Sequence, residues 1–275
     1  MDIKSTLTLN NNVEIPILGL GMYLNSSGNI ARNALKCAIK AGYRHFDTAK
    51  FYANERDVGQ AIRESDIPRD ELFLTTKLWN DDHGYDSTLR AIDISLNNLG
   101  LDYMDLYLIH WPVEELRLDS WQAMEKALAD GKIRAIGVSN YMKHHLEELL
   151  DQCNIIPSIN QIELSPFNYL SRKDTIEFCQ KNLIIIEAYS PLTKGYKLKD
   201  LTLIKLARKY GKSTAQLLIR WSLEHQFVVI PKSSNENRII ENSDVFDFQI
   251  SSQDMDFLDN LNEDLATSWD PTNAL

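Results

Sequence analysis

Eight short apolar runs, rich in β-branched residues, recur along this chain, and longer stretches of helical periodicity separate most of them. This alternation restricts the fold more than any other feature. A repeat of two that gives way to one of 3.6 again and again is the pattern of βα units on a parallel sheet. The runs fall at about Ile17–Leu20, Arg44–Asp47, Leu72–Lys77, Met104–His110, Ile133–Ser139, Ile159–Glu163, Ile184–Tyr189 and Val228–Pro231. Most are continuously apolar, as expected of strands covered on both faces. Right-handed crossovers leave two arrangements, a closed barrel or a long open sheet.

The intervening stretches carry helix signals. Residues Ala31 to Ala41 place Ala34, Leu35, Ala38 and Ile39 on one face, and Gly42 follows as a stop. Ser120 is read as the N-cap of a helix that Gly131 ends, and Ser171 as a cap for a helix over Thr175 to Gln180. Asp200 to Lys209, Thr214 to Glu224 and a last helix opened by Ser251 and Asp254 complete the set. Ahead of the first unit, Thr6 to Leu9 and Val13 to Ile15 flank Asn10-Asn11-Asn12, a hairpin signal because asparagine tolerates positive φ. Such a hairpin would cap the bottom of a barrel. The tail from Ala266, with Trp269 and Pro271, has too little pattern for an element and is expected to lie over a barrel face. A length of 275 residues suits one (β/α)₈ domain, and no linker rich in Pro, Gly or Ser divides it, so residues 1–275 are read as a single barrel.

Composition excludes several roles. A net charge of −10 argues against nucleic acid or an anionic membrane surface as partner. Three cysteines without a CxxC pair suggest neither a disulfide framework nor a zinc site, and fit a reducing compartment. The N-terminus carries no cationic start followed by an apolar block, so a cytoplasmic location is expected. His144 and His145 are adjacent on a helix over Met142 to Leu150, diverge by about 100°, and cannot form an i, i+4 metal pair. They are expected to be solvated, and His83 and His225 carry no signal. Ser139 lacks a GxSxG context.

Chemistry-bearing residues cluster at the ends of the apolar runs. Of Asp47, Tyr52, Lys77, His110, Ser139, Asn140, Tyr189 and Lys232, nearly all lie at, or just after, such ends. A (β/α)₈ barrel gathers strand C-termini into one mouth and would bring them together. Singly, Tyr52 fits a packed aromatic and His110 a satisfied core histidine. Lys77 is harder to explain blandly, because it ends the apolar run Leu72-Phe73-Leu74, where a charge should face a site or a partner.

Seven motifs then stand in order along nearly the whole chain: GYRHFDTAKFYANE (42–55), LTTKLWN ending at Asn80, DLYLIHWP at Pro112, GKIRAIGVSN at Asn140, NQIEL from Asn160, AYSPL from Ala188, and IPKSSNENRIIEN ending at Asn242. On these the chain resembles the aldo-keto reductases, NADP(H)-dependent (β/α)₈-barrel carbonyl reductases. The resemblance implies Tyr52 as general acid, with Asp47, Lys77 and His110 completing a tetrad. Lys77 would lower the phenol pKa from its free value near 10. Asp47 would hold Lys77, and His110 would orient the substrate oxygen.

The same resemblance places Ser139, Asn140 and Gln161 at the nicotinamide carboxamide, with Tyr189 stacked on the ring. It places Ser190 and Leu192 along the pyrophosphate. Lys232, Ser233 and Arg238 would hold the adenosine 2′-phosphate, and Glu241 and Asn242 would meet the adenine. It therefore implies NADPH or NADP⁺ as cofactor and a small carbonyl compound as partner, with no metal and a monomer or weak dimer. No GxGxxG fingerprint follows a strand. Many relatives have tryptophan, histidine and glycine where this chain has Tyr23, Ser165 and Thr193. Tyr23, Trp79 and Trp111 are expected to line the substrate mouth. Short segments after His110 and Tyr189 suggest an open site for small aldehydes, ketoaldehydes or keto-sugars. Two alternatives compete: a non-catalytic NADP(H)-binding barrel serving as a regulatory or structural module, and a barrel enzyme that uses Lys77 as a Schiff base.

Overall fold

The computed structural model describes residues 1–274. After an antiparallel hairpin of β1 (Thr6–Thr8) and β2 (Glu14–Pro16), eight parallel strands follow in sequence order. They are β3 (Gly19–Gly21), β4 (His45–Asp47), β5 (Phe73–Leu78), β6 (Met104–Ile109), β7 (Ile133–Ser139), β8 (Ile159–Glu163), β9 (Ile185–Tyr189) and β10 (Val228–Val229). Parallel bridges Leu18–Val229 and Gly21–Lys232 join the two edges, so the sheet closes into a (β/α)₈ barrel. The last strand is shorter than its apolar run because Pro231 has no N–H to donate; its carbonyl instead accepts from Gly21 N at 3.2 Å.

The continuous apolar runs are explained by the two buried faces. In β6, Leu106 and Leu108 point into the barrel, while Tyr107 and Ile109 meet the helical layer. Leu9 and Ile15 of the hairpin region join Phe73, Leu106, Leu108, Ala135, Ile159 and Val228 in a cluster inside the barrel's lower half. The hairpin thus plugs the N-terminal end, and Asn12 takes the positive φ of its turn, 65°. Above that apolar floor the inward positions become polar: His45, Thr75, Gln161 and Glu187, then Asp47, Lys77 and Ser139. Gly19 leaves room for this layer, since a Cβ there would stand 2.7 Å from His45 Nδ1.

Among the described residues, ten helices surround the sheet. Ser251 and Asp200 cap theirs as the sequence suggests, Ser251 accepting from Asp254 N and Asp200 from Thr202 N and Leu203 N. Two cap assignments are corrected. The helix expected to start after Ser120 runs over Arg117–Ala129, and Ser120 lies inside it, its Oγ bonded to Leu116 O and lying 3.1 Å from His83 Nδ1. The helix assigned to a Ser171 cap spans Lys173–Lys181, with Arg172 at the cap position and Ser171 Oγ donating to Asn168 O. The tail crosses the C-terminal face and ends in a 3₁₀ turn over Pro271–Asn273, which Asp270 caps by accepting from Thr272 N. His145 is buried rather than solvated: its Nδ1 accepts from Met142 N, and the Nε2 atoms of His144 and His145 lie 2.9 and 3.0 Å from Ala274 O, holding the tail. Among the described residues, no helix is long and apolar enough to cross a membrane.

Candidate active site

One large cavity, about 1150 Å³, opens at the C-terminal ends of the strands. Strand parity decides what faces it. Asp47 ends β4, Lys77 is next to last in β5, His110 follows β6, Ser139 ends β7 and Tyr189 ends β9, each on the inward-pointing register. Tyr52 comes from the loop after β4. There a 3₁₀ turn over Lys50–Tyr52 ends in left-handed Ala53, and buried Asn54 fastens the loop. Asn54 accepts from Thr48 Oγ1 at 2.5 Å and donates to Met22 O and Asn25 O, both at 3.0 Å. Sequence reasoning passed over Thr48 and Asn54, although both stand inside the longest motif.

At the cavity floor, Lys77 Nζ lies 2.7 Å from both Asp47 oxygens, 2.9 Å from Thr48 O and 3.4 Å from Tyr52 Oη. Lys77 is fully buried beneath the cavity wall, whereas Tyr52 and Asp47 line it. One expectation is reversed here. Burial, reinforced by Asp47, Tyr189, Tyr23 and Glu187, holds the Tyr52 phenol well above its ordinary pKa rather than below it. The Lys77 charge is already matched by Asp47, so little of it is left to favour a phenolate.

His110 is buried, and burial followed by Lys77 keeps it well below the usual histidine range. The ring is therefore neutral. Its Nδ1 is buried without a hydrogen-bond partner among the described residues, which favours the tautomer with the proton on Nε2. Tyr52, Trp79 and Trp111 surround it, with ring centroids 5.7, 5.3 and 6.1 Å away.

Tyr23 and Trp111 line the cavity. Trp79 does not: it stands behind Phe51, stacked at 3.9 Å, and Phe51 takes the lining position. Trp269 of the tail packs edge-on against Trp111 at 4.9 Å and also lines the cavity. No local pattern singled out Phe51 or Trp269, because each reaches the mouth only through chain folding.

The long arm of the cavity has a different character. Ser190, Leu192, Lys232, Ser233, Arg238, Glu241 and Asn242 all line it. Closure of the barrel sets Lys232 opposite Gly21, and the Asn235 side chain caps the helix Glu236–Ser243. Among the described residues, neither Lys232 nor Arg238 is in an ion pair, so both cations are available to an anion. Asn140 is left-handed, at φ 64°, and both its amide hydrogens are engaged: it donates to His110 O and Ser139 Oγ, and its Oδ1 accepts from Tyr189 Oη at 2.8 Å with a second lone pair free. Gln161 Nε2 donates to Asp47 Oδ2 and Glu187 Oε2, both at 2.8 Å, which leaves only its carbonyl oxygen for a ligand. No cluster of three His, Cys, Asp or Glu side chains that could hold a metal occurs among the described residues.

A parallel barrel whose mouth joins a buried Lys–Asp pair, a tyrosine and a neutral histidine to a cationic arm defines a class of barrel oxidoreductases. The sequence model of the aldo/keto reductase family matches residues 17–263, and the chain belongs to that family. It is 50% identical over 273 residues to a glyoxal reductase of Bacillus subtilis, covering 99% of this chain and 98% of that protein. It is 48% identical to a 9,11-endoperoxide prostaglandin H2 reductase of Trypanosoma cruzi, covering 97% and 95%. Among solved structures, an aldo-keto reductase from a deep-sea metagenome library superimposes with a TM-score of 0.90 at 46% identity, covering 94% of this chain and 96% of that one. An aldo-keto reductase of the silkworm Bombyx mori, solved in complex with NADP, gives 0.90 at 37% identity, covering 97% and 95%.

Proposed function

We propose that this protein reduces aldehydes and ketones to alcohols with NADPH, and that Tyr52 supplies the proton. The observation that carries this reading is the Tyr52 hydroxyl, which faces the cavity 3.4 Å from the sealed Lys77 ammonium. NADPH, when bound, supplies a hydride to the carbonyl carbon. His110, neutral and protonated on Nε2, donates to the carbonyl oxygen and fixes its direction. As negative charge grows on that oxygen, Tyr52 Oη–H transfers its proton to it. A high phenol pKa suits this step: Tyr52 keeps its proton at neutral pH and releases it only to the far more basic alkoxide. Lys77 then faces the new phenolate, and Asp47 keeps the ammonium in place.

The cofactor's parts match the cavity. Lys232, Ser233 and Arg238 suit a 2′-phosphate dianion, Glu241 and Asn242 the adenine, Ser190 and Leu192 the pyrophosphate, and Tyr189 one face of the nicotinamide. The Gln161 carbonyl suits the carboxamide N–H. Ser139 Oγ and Asn140 Oδ1 each keep a second lone pair with which to share that contact. Substrate meets a mostly aromatic mouth of Tyr23, Phe51, Trp111 and Trp269, which favours small carbonyl compounds with an apolar or uncharged body. We take residues 1–275 as one cytoplasmic domain, a monomer or weak dimer.

Loss of NADPH absorbance with a panel of glyoxal, methylglyoxal, benzaldehyde and a keto-sugar tests this reading. Tyr52→Phe should lower turnover by at least about a hundredfold, the usual scale for a lost general acid, while NADPH still binds. Near-normal turnover by that variant would show that another group is the acid. Binding of NADPH without turnover in the natural protein would favour the non-catalytic module. The Schiff-base alternative is disfavoured by burial, since the Lys77 nitrogen is enclosed by Asp47 and Thr48.

A further inference from the structure

The polar layer beneath the cavity floor contains two buried groups that the proposed chemistry does not use. Glu187 on β9 and His45 on β4 are both fully buried inside the barrel. Glu187 Oε2 accepts from Gln161 Nε2 at 2.8 Å, and the same nitrogen donates to Asp47 Oδ2 at 2.8 Å. Among the described residues, Glu187 Oε1 makes no hydrogen bond; His45 Nε2 lies 3.4 Å from it and 3.2 Å from Thr75 Oγ1. One amide therefore bridges two carboxyl groups, and one of those groups is the counter-ion of Lys77.

We propose that Glu187 is a positioning residue of this active site, acting through Gln161 on the cavity floor and on Asp47. The inference rests on the reading of the cavity as a dinucleotide site. Its first consequence is orientation. With acceptors on both sides of its nitrogen, the Gln161 amide cannot turn without setting its oxygen against a carboxyl oxygen. The carbonyl is thereby fixed toward the cavity as an acceptor, which selects a ligand that offers an N–H, such as a primary carboxamide.

The second consequence is charge. The titratable and charged groups facing Glu187 are His45, Asp47, Lys77 and Tyr52. Lys77 is bound to Asp47, and burial keeps the His45 ring neutral, its pKa pushed down to about 3. One cation thus serves two almost wholly buried carboxyl groups, so one carboxyl keeps its proton. Glu187 is that group: burial, then Asp47, push it up to about 8. Ionising it would set a second negative charge beside Asp47 and Tyr52, making Tyr52 a poorer acid and loosening the geometry of Gln161.

Two variants separate these effects. Glu187→Gln keeps an acceptor for Gln161 but carries no charge at any pH; Glu187→Leu removes the acceptor. Dissociation constants for NADP⁺ and for its 3-acetylpyridine analogue, which lacks the N–H, are read by tryptophan fluorescence from pH 6 to 10, with glyoxal reduction in parallel. The natural protein should lose NADP⁺ affinity or turnover across a basic limb that Glu187→Gln lacks. Glu187→Leu should weaken NADP⁺ binding at pH 7 about five- to tenfold, the scale of one buried hydrogen bond, and hardly affect the analogue. Superimposable pH profiles for the natural protein and Glu187→Gln, or an unchanged preference for NADP⁺ over the analogue in a folded Glu187→Leu, would overturn the inference. If the natural protein binds NADP⁺ but reduces no carbonyl compound, the proposed reaction fails, and the binding comparison still decides the role of Glu187. If it does not bind NADP⁺ at all, both fail.

Discussion

At the scale of single residues, the buried Lys77–Asp47 pair has the highest stakes. Lys77 is sealed from water and Asp47 meets it only at the cavity floor, so each charge is satisfied mainly by the other. Lys77→Met leaves Asp47 as an uncompensated buried carboxylate and should cost about 3–5 kcal/mol, read by chemical denaturation. Adding Asp47→Asn should restore much of that stability and none of the reductase activity; restored turnover would contradict the assigned roles. Tyr52 and His110 also set a pH expectation. His110 lies well below the usual histidine range and Tyr52 well above the ordinary phenol value, so neither titrates between pH 6 and 8. Carbonyl reduction should show no step from either group in that window, whereas alcohol oxidation, which needs the phenolate, should rise toward alkaline pH. That Asp47, Tyr52, Lys77 and His110 would meet was legible in the sequence, because they stand at or near strand ends inside recognisable motifs. The direction of the Tyr52 shift was not, since it depends on how completely Asp47 neutralises Lys77 in three dimensions.

At the scale of elements, the contact between the helices Glu55–Arg63 and Tyr85–Leu99 is the most tightly specified. A Cβ on Gly59 would come within 1.9 Å of Leu99 O, so only glycine allows the helices to approach this closely. Glu55 ties the same interface to Thr76 and Asn98, at 2.8 and 3.0 Å. Alanine is the better helix former by about 1 kcal/mol. Against a backbone carbonyl that gain loses: Gly59→Ala should lower stability by about 2 kcal/mol net, read as a fall in Tm. Helix ends show where local reading works. Ser251 and Asp200 cap helices that begin where their own side chains can accept, whereas Ser120 lies inside its helix and Ser171 ahead of one, because packing sets where those two helices start. In Arg117–Ala129 the first turn is held by buried Arg117, which pairs with Glu148, a residue 31 positions away.

At the scale of the whole molecule, two terminal segments complete the barrel from opposite ends. The hairpin closes the bottom with Leu9 and Ile15, and the tail brings Trp269 to the mouth. Glu163, the last residue of β8, holds the tail by accepting from Thr267 N at 2.8 Å and Ser268 N at 3.0 Å, and Arg172 pairs with Asp270 at 2.7 Å. Trp269→Ala should raise KM for aromatic aldehydes about five- to tenfold, in line with the loss of one aromatic wall, and leave NADPH affinity unchanged. An equal effect on both constants would mean that the tail supports the cavity as a whole.

Periodicity, turn chemistry and motif are local properties of a chain, so the eight-unit alternation, the hairpin, the strand-end residues and the cationic arm could all be read from the order of residues alone. Folding settled the rest: that Phe51 and Trp269 rather than Trp79 face the cavity, that His145 is buried under the tail, and that Glu187 and His45 lie beneath the cavity floor. Each of those outcomes depends on which distant segments closure of the barrel brings within a few ångströms of one another.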